Sequence, residues 1–429
     1  MKVIKLSDSL ERVKDLLGRG QEDAAKAQAI VDVIVREVRT EGDSALLRYT
    51  NKFDSEVLTA QTLRVTDSEI DEAVKSAGPE LMAVLERAFA RILAFHEKQT
   101  EKSWIDMSKS GEIMGQIVRP LESVGIYVPG GTAAYPSTAL MNMAPARVAG
   151  VERIVMATPA SKDGKARSVA LAAAKVAGIK EIYKIGGAQA VAALAYGTET
   201  IPKVDKITGP GNIYVALAKK SLYGVVDIDS VAGPSEILVL ADDSANSKHV
   251  AADLLSQAEH DVLAQAILVT TSQRLADEVL LELDSQLESL ARKKIAFQSL
   301  EDHGAIIIAQ SIDQALEVAN LIAPEHMEVM TENPWDQLPM IKNAGAIFLG
   351  GYTPEALGDY MAGPNHVLPT SGTARFFSPL SVSDFTKRSS LISFSKKAFM
   401  PLREDVIAFA ESEGFGAHAN SARVRGPEN

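Results

Sequence analysis

Apolar residues recur at helical spacing from Ala27 to Tyr49 and, after a Gly-Pro break, from Pro79 to His96, so residues 22 to 100 are expected to be helical. From Ser123 the rhythm changes to short apolar, β-branched runs, each followed by Gly, Pro or Ser and then a helical pattern. The runs are Val124–Val128, Arg153–Met156, Glu181–Ile185, Lys206–Ile207, Glu236–Leu240, Ala266–Val269, Ala305–Ile308, Glu328–Met330 and Ala346–Leu349. Regular alternation of this kind predicts an α/β fold with parallel sheets and crossover helices. Two sheets suit the length better than one, with a break near Asp227 to Pro234, which gives two Rossmann-like lobes and a cleft. The expected divisions are a helical extension over 1–20, one lobe from 21–126 with 236–380, a second lobe over 127–235, and a C-terminal extension over 381–429. Past Gly350 the chain is irregular to about residue 385 and then closes with a helix across Pro401 to Ser412. So long an irregular stretch is usually functional.

With 429 residues, 46% of them hydrophobic, the chain is too long for one core and ample for several domains. Its 44 basic and 56 acidic residues give a net charge of −12, with no basic block, so neither nucleic acid nor an anionic membrane is an expected partner. The segment Met1 to Ser7 lacks the apolar core of a signal peptide, and no later run is long enough to span a bilayer. A cytoplasmic location is expected. The absence of cysteine rules out disulfides, thiolate ligands and a catalytic thiol, so any metal must be held by nitrogen and oxygen.

Three strand-to-helix turns carry paired glycines: Pro129-Gly-Gly131, Gly186-Gly187 and Gly209-Pro-Gly-Asn212. Such turns let backbone approach a phosphate at a helix N-terminus, although none completes GxGxxG and a turn of this kind alone more often serves helix–strand packing than cofactor binding. Four of the seven histidines fall in short windows dense with chemistry. Gln257 and His260, three apart near a helix end, share one face and could hold one metal, while as an isolated pair they also describe a solvated helix cap. Asp359 would add a carboxylate and His418 a second imidazole, a set suited to zinc, manganese or cobalt. Pro324-Glu325-His326 places two proton acceptors side by side, as a reaction with several proton transfers needs. Both line one cleft only at a strand end or turn; otherwise they are a surface pair at a strand start.

These windows resemble a known family. Tyr127-Val-Pro-Gly-Gly-Thr-Ala-Ala-Tyr-Pro136, Gly186-Gly-Ala-Gln-Ala190, Gly209-Pro-Gly-Asn212, Ala232-Gly-Pro-Ser-Glu236, Asp253-Leu-Leu-Ser-Gln-Ala-Glu-His260, Ala323-Pro-Glu-His326, Gly358-Asp-Tyr-Met-Ala-Gly-Pro-Asn-His366 and Glu413-Gly-Phe-Gly-Ala-His418 resemble, in order, the signatures of the histidinol dehydrogenases. That family oxidises L-histidinol through an aldehyde to L-histidine, reducing two NAD, in the last reactions of histidine biosynthesis. The resemblance implies that Gln257, His260, Asp359 and His418 bind one Zn2+, which orients the substrate's imidazole and amine. It implies that Glu325 and His326 are the proton acceptors and that Tyr127, Gln189 and Asn212 contact NAD in the 127–235 lobe. Ser235, His326, Glu413 and His366 match substrate contacts, alongside the metal ligands Gln257, His260, Asp359 and His418. The resemblance further implies an intertwined homodimer, in which Glu413 and His418 from the 381–429 extension complete the partner's site. One departure is Phe415-Gly416, where leucine is more usual before a variable residue; it leaves the metal set intact and slightly loosens the substrate assignment.

A chain without cysteine cannot activate an aldehyde through a thiol, so the second oxidation is expected to pass through a water adduct. Glu325 would activate that water and His326 would take the hydroxyl proton in the hydride-transfer steps. Competing readings are a dehydrogenase of the same architecture for another small polar alcohol, a zinc hydrolase in which metal activates water directly, and a non-catalytic nucleotide-binding module. Ser235, Glu413 and His366 argue against the first, and the last leaves the Glu325-His326 pair unexplained.

Overall fold

The nine apolar runs all become strands, and they fall into two parallel sheets. The structure, a computed structural model, describes residues 1–6, 13, 21–130 and 135–426, with residues 21–24 described in backbone only. In the first sheet Glu181–Tyr183, Arg153–Ala157, Ser123–Tyr127, Lys206–Thr208 and Asp227–Ile228 lie side by side in that order. In the second the order is Lys2–Lys5, Ala305–Ile308, Gln265–Thr270, Glu236–Ala241, His326–Met330 and Ala346–Leu349. With Lys2–Lys5 set aside and strands counted along the chain, both sheets read 3-2-1-4-5, so each reverses its winding beside its first strand. Burial on both faces explains the unbroken apolar runs: Ile237, Leu238, Val239, Leu240 and Ala241 are all buried.

Several expected boundaries change. The extension over 1–20 is not helical at its start: Lys2–Lys5 is a strand paired with Ala305–Ile308, while residues 7–12 and 14–20 lie outside the described residues. Asp227–Ile228, read as part of a break, adds a fifth strand. Ser123–Tyr127 belongs to the five-stranded sheet and not to the other lobe, and so do the helices before it. Gln21–Glu41 packs on Gly187–Tyr196 and Ile213–Leu222, and Asp67–Glu97 packs on Pro136–Ala149 and Ser168–Ala177. The reason is complementary size. Val31, Ile34 and Val38 meet a helix face rich in alanine (Ala188, Ala192, Ala195), and Leu85, Phe89 and Ile92 join a cluster with Ala170, Ala173 and Ala174, where small side chains admit a second layer of helices. Two breaks in the helical block come from glycine: Gly42 separates Gln21–Glu41 from Asp43–Phe53, and Gly78 (φ 72°) kinks Asp67–Glu97.

The chain divides into two compact units, the first formed by Met1–Gln99 with Leu121–Phe385 and the second by Thr100–Pro120 with Thr386–Asn429. The second unit holds an antiparallel sheet ordered Thr386–Phe394, Glu112–Pro120, Trp104–Met107, and the helices Arg403–Ser412 and Gly416–Arg423 packed through Ile407, Ala410, Ala419 and Ala422. Residues 100–120 therefore leave the lobe to which the 21–126 boundary assigned them, because their hydrogen-bonding partner is the distant strand Thr386–Phe394. No helix among the described residues is long and apolar enough to cross a membrane.

One buried ion pair shapes a glycine turn of the five-stranded sheet. Gly209 has φ 112°, and a Cβ there would run into the Tyr127 carbonyl, so the turn closes only with glycine. Asp229 accepts the Gly209 N–H at 2.7 Å, and Lys219 pairs with Asp229 while donating to the Gly209 carbonyl at 3.0 Å. The Lys219 and Asp229 side chains are only 2% and 5% exposed. Lys219→Met leaves Asp229 buried without its cation, and a loss of about 3–5 kcal/mol is expected. Urea unfolding of the variant beside the parent measures it.

Candidate active site

The strand His326–Met330 runs parallel to Glu236–Ala241 with His326 opposite Ile237, so the residues just ahead of both strands stand together. Ala323 ends the helix Ile312–Ile322 in the left-handed region, at φ 53°, and Pro324 follows it. Because the strand begins at His326, Glu325 stands in the turn, and the alternation of strand faces does not separate the two side chains. Both reach the same residue. The Glu236 N–H donates to Glu325 Oε2 at 2.9 Å, and the Glu236 carbonyl lies 3.0 Å from His326 Nδ1. A carbonyl only accepts, so Nδ1 carries the proton and Nε2 presents its lone pair. Nε2 is buried, has no hydrogen-bond partner among the described residues, and stands 3.9 Å from both Glu355 Oε1 and Asp359 Oδ1. Burial pushes the Glu325 carboxyl well above its ordinary value, against the N–H bond from Glu236.

Beside this pair lies a group of side chains whose donor atoms are close enough together to hold a metal ion. One donor atom each from His260, Glu355 and Asp359 lies within 4.8 Å of the others. Gln257, 1% exposed, sits in the last turn of Ser247–Ala258, and its carbonyl accepts the His260 N–H at 3.1 Å. Glu355 opens the turn Glu355–Leu357, which runs on into Gly358–Ala362, so Asp359 follows four residues later. A Cβ on Gly358 would strike the Phe348 ring, so glycine lets this turn close against the strand Ala346–Leu349. Ser256 Oγ donates to Glu355 Oε2 at 2.9 Å, and the Glu355 N–H donates to Glu328 Oε1 at 2.7 Å. The Asp359 carboxyl is pushed up to about 7, first by burial and then by the Glu355 charge. Acids crowded this closely hold protons that a divalent cation would displace, and the nitrogen and oxygen donors suit zinc.

The other expected residues divide. Ser235 precedes Glu236–Ala241 and is half-buried, its carbonyl accepting the Gln265 N–H at 2.9 Å. His366 is half-buried, with Nε2 shut off from solvent and unpartnered among the described residues; burial lowers its pKa to about 4, and the Glu355 charge reaches it. Its neighbour Asn365 donates to the Met141 carbonyl at 2.7 Å and meets His96 Nε2 at 3.1 Å, which anchors this loop. Glu413 and His418 are exposed residues of the second compact unit, the latter with its ring 5.1 Å from that of Phe415.

At the five-stranded sheet, Tyr127 ends the first strand and its hydroxyl accepts the Gly187 N–H at 3.1 Å. Asn212 follows the fourth strand and caps Ile213–Leu222, Oδ1 accepting from Tyr214 at 3.1 Å and Val215 at 3.2 Å. Gln189 is 1% exposed, and its Nε2 has no partner among the described residues. Tyr127 and Asn212 thus flank the point where winding reverses, the crevice that doubly wound sheets use for ligands. Residues 131–134 of the first glycine turn lie outside the described residues.

Glu355, Glu328 and Asp253 escaped the reading of the sequence. Glu355 and Asp359 do stand four apart, a helical spacing, but in a stretch that looked irregular. Glu328 and Asp253 come together only through the sheet and the helix Ser247–Ala258, and they share a hydrogen bond.

A model of the histidinol dehydrogenase family matches residues 17–426. The chain is 59% identical over 395 residues to a histidinol dehydrogenase of Caldanaerobacter subterraneus subsp. tengcongensis, covering 92% of this chain and 91% of the relative. It is 53% identical over 418 residues to one of Clostridium acetobutylicum, covering 97% and 96%. The crystal structure of histidinol dehydrogenase from Elizabethkingia anophelis superposes with a TM-score of 0.93 at 39% identity, over 99% of this chain and 98% of that one.

The buried acid pair gives a pH dependence of known sign. Burial raises Asp253 to about 6 and Glu328 well above its ordinary value. The folded state therefore keeps a proton that the unfolded chain releases near pH 4, and stability falls as pH rises from about 4 through 6 and beyond. Glu328→Gln, which holds the shape without the acid, is expected to make that fall shallower by up to about 1.4 kcal/mol per pH unit, the slope contributed by one retained proton. Urea unfolding from pH 5 to 8 measures it.

Proposed function

The chain belongs to the histidinol dehydrogenase family, and from that premise we propose that this site oxidises L-histidinol through L-histidinal to L-histidine, passing hydride to two NAD in succession. The observation that carries the reading is the His326 ring, held with Nδ1–H on the Glu236 carbonyl and Nε2 bare toward the cluster of His260, Glu355 and Asp359. In the proposed reaction Nε2 takes the substrate hydroxyl proton, and the Glu236 carbonyl steadies the imidazolium that results. Glu325, a buried carboxylate made more basic than usual by its surroundings, takes a proton from the water that adds to the aldehyde. A hydrated aldehyde can then lose hydride as the alcohol did, with no thiol required.

Gln257, His260 and Asp359, with His418 of the partner subunit, would hold Zn2+, and Glu355 adds negative charge beside them. Bound there, the ion supplies a fixed positive charge that grips the imidazole and amine of histidinol. Ser235, His366, His326 and the partner subunit's Glu413 would line the substrate. Tyr127, Gln189 and Asn212 would hold NAD, which supplies the hydride acceptor. The reversal of winding beside the first strand, where doubly wound sheets bind ligands, and the unpartnered Gln189 Nε2 support that assignment.

A homodimer is supported by the second unit, where Trp104 (54%), Met107 (70%), Ile392 (71%) and Phe409 (70%) are exposed apolar side chains of a kind that a partner would cover.

The first test is NADH formation from L-histidinol with and without a chelator. In the same assay Glu325→Gln should slow aldehyde oxidation by about 10²–10⁴-fold and spare alcohol oxidation, while His326→Asn slows both. Equal losses in both steps for both variants would contradict this division. Shared sites are tested by mixing: His260→Ala and His418→Ala are each expected to be inactive, and subunit exchange between them should restore about one quarter of the parent activity, since each mixed dimer regains one intact site. No recovery after exchange, with mixed dimers verified by mass, would rule out sharing.

A further inference from the structure

The carboxyl edge of the five-stranded sheet carries an acidic group that the reaction above does not use. Asp54 ends the helix Asp43–Phe53, its N–H bonded back to the Thr50 carbonyl at 2.9 Å. Its carboxylate lies over the ends of the second and third strands: a Cβ on Gly186 would stand 3.2 Å from Asp54 Oδ2 and 2.6 Å from Pro159 Cβ. Pro159 follows Arg153–Ala157, and Gly186 follows Glu181–Tyr183. Oδ2 is closed off from solvent and has no hydrogen-bond partner among the described residues. With nothing to offset it, burial raises the carboxyl to about 6, and its charge is felt at Tyr127. Gln189, in the helix that this glycine turn opens, packs its amide against Gly187 and leaves Nε2 unpartnered, so a buried acceptor and a buried donor both lie at the turn without a partner among the described residues.

Doubly wound sheets that bind NAD usually place a carboxylate at the end of the second strand, where it accepts from the adenosine ribose and repels a 2′-phosphate. This chain has Thr158-Pro-Ala-Ser161 at that position and no acid. Asp54 brings one to the same edge from the helical segment that precedes the sheet.

We propose that Asp54 accepts a hydrogen bond from the adenosine ribose of the dinucleotide and, by repelling a 2′-phosphate, sets the preference for NAD over NADP. The proposal rests on the NAD reading above, which the formation of NADH by the parent enzyme tests separately. Calorimetric titration of the parent and of Asp54→Asn and Asp54→Ser with NAD, with NADP and with 2′-deoxy-NAD reads it directly. The parent should bind NAD at least about tenfold more tightly than either analogue. Both variants should lose about tenfold in NAD affinity and should no longer distinguish NAD from 2′-deoxy-NAD, with the NAD-to-NADP ratio falling by about tenfold or more. At saturating NAD their kcat should stay close to that of the parent. Unchanged affinities and an unchanged ratio in both variants would overturn the proposal, as would lost thermal stability and kcat at an unchanged ratio, which marks a structural residue. A parent that forms NADH yet binds NAD, NADP and 2′-deoxy-NAD alike would overturn it while leaving the NAD reading intact.

Discussion

A single residue's backbone holds the chemistry in register. The N–H of Glu236 grips Glu325 and its carbonyl grips His326, so a residue of one strand orients both side chains at the start of its neighbour. The arrangement depends on the parallel pairing of Glu236–Ala241 with His326–Met330, since a slip of one residue would exchange the faces of the second strand and turn His326 into the interior. Because a carbonyl can only accept, the same contact selects the tautomer that leaves Nε2 bare. Orientation, tautomer and position of the His326 ring thus follow from backbone geometry, which side-chain substitution elsewhere does not easily disturb.

Around that base the fold gathers acids it could have kept in water. Glu325, Glu328, Asp253, Asp359 and Glu355 approach one another across the amino end of the six-stranded sheet, and desolvation raises the first four above their ordinary values. Such a cluster destabilises the fold whenever it is fully ionised, and stability rather than solubility is what it costs. The same crowding favours a neighbouring positive charge and makes the four raised carboxylates stronger bases than usual. Clusters of raised acids of this kind concentrate at functional sites, where stability is given up for chemistry.

The two sheets wind alike but use opposite edges. Tyr127, Gln189, Asn212 and Asp54 gather at the carboxyl edge of the five-stranded sheet, where the winding reverses. Ser235, Glu325 and His326 gather at the amino edge of the six-stranded one. Topology alone therefore does not say which edge carries a site. In the second sheet the turn at Ala323 and Pro324, and the close pairing with Glu236, decide it.

Much of this was legible along the chain. Runs of branched apolar residues separated by glycine and proline specify strands by local sterics and burial, which explains why all nine and the parallel α/β class could be read directly. His326 and His260 stood out because histidine is scarce in this chain, with seven in all, and Glu325 because it adjoins one of them in a short motif. Spacing could not show that Glu355 and Asp359 face His260, that Asp253 meets Glu328, or that Asp54 reaches the turn at Gly186. Those are contacts between segments tens to hundreds of residues apart, and the sheet register and helix packing that create them depend on the whole chain. Local sequence determined which residues were able to act; tertiary structure decided which of them meet, because only burial brings their charges close enough to shift one another.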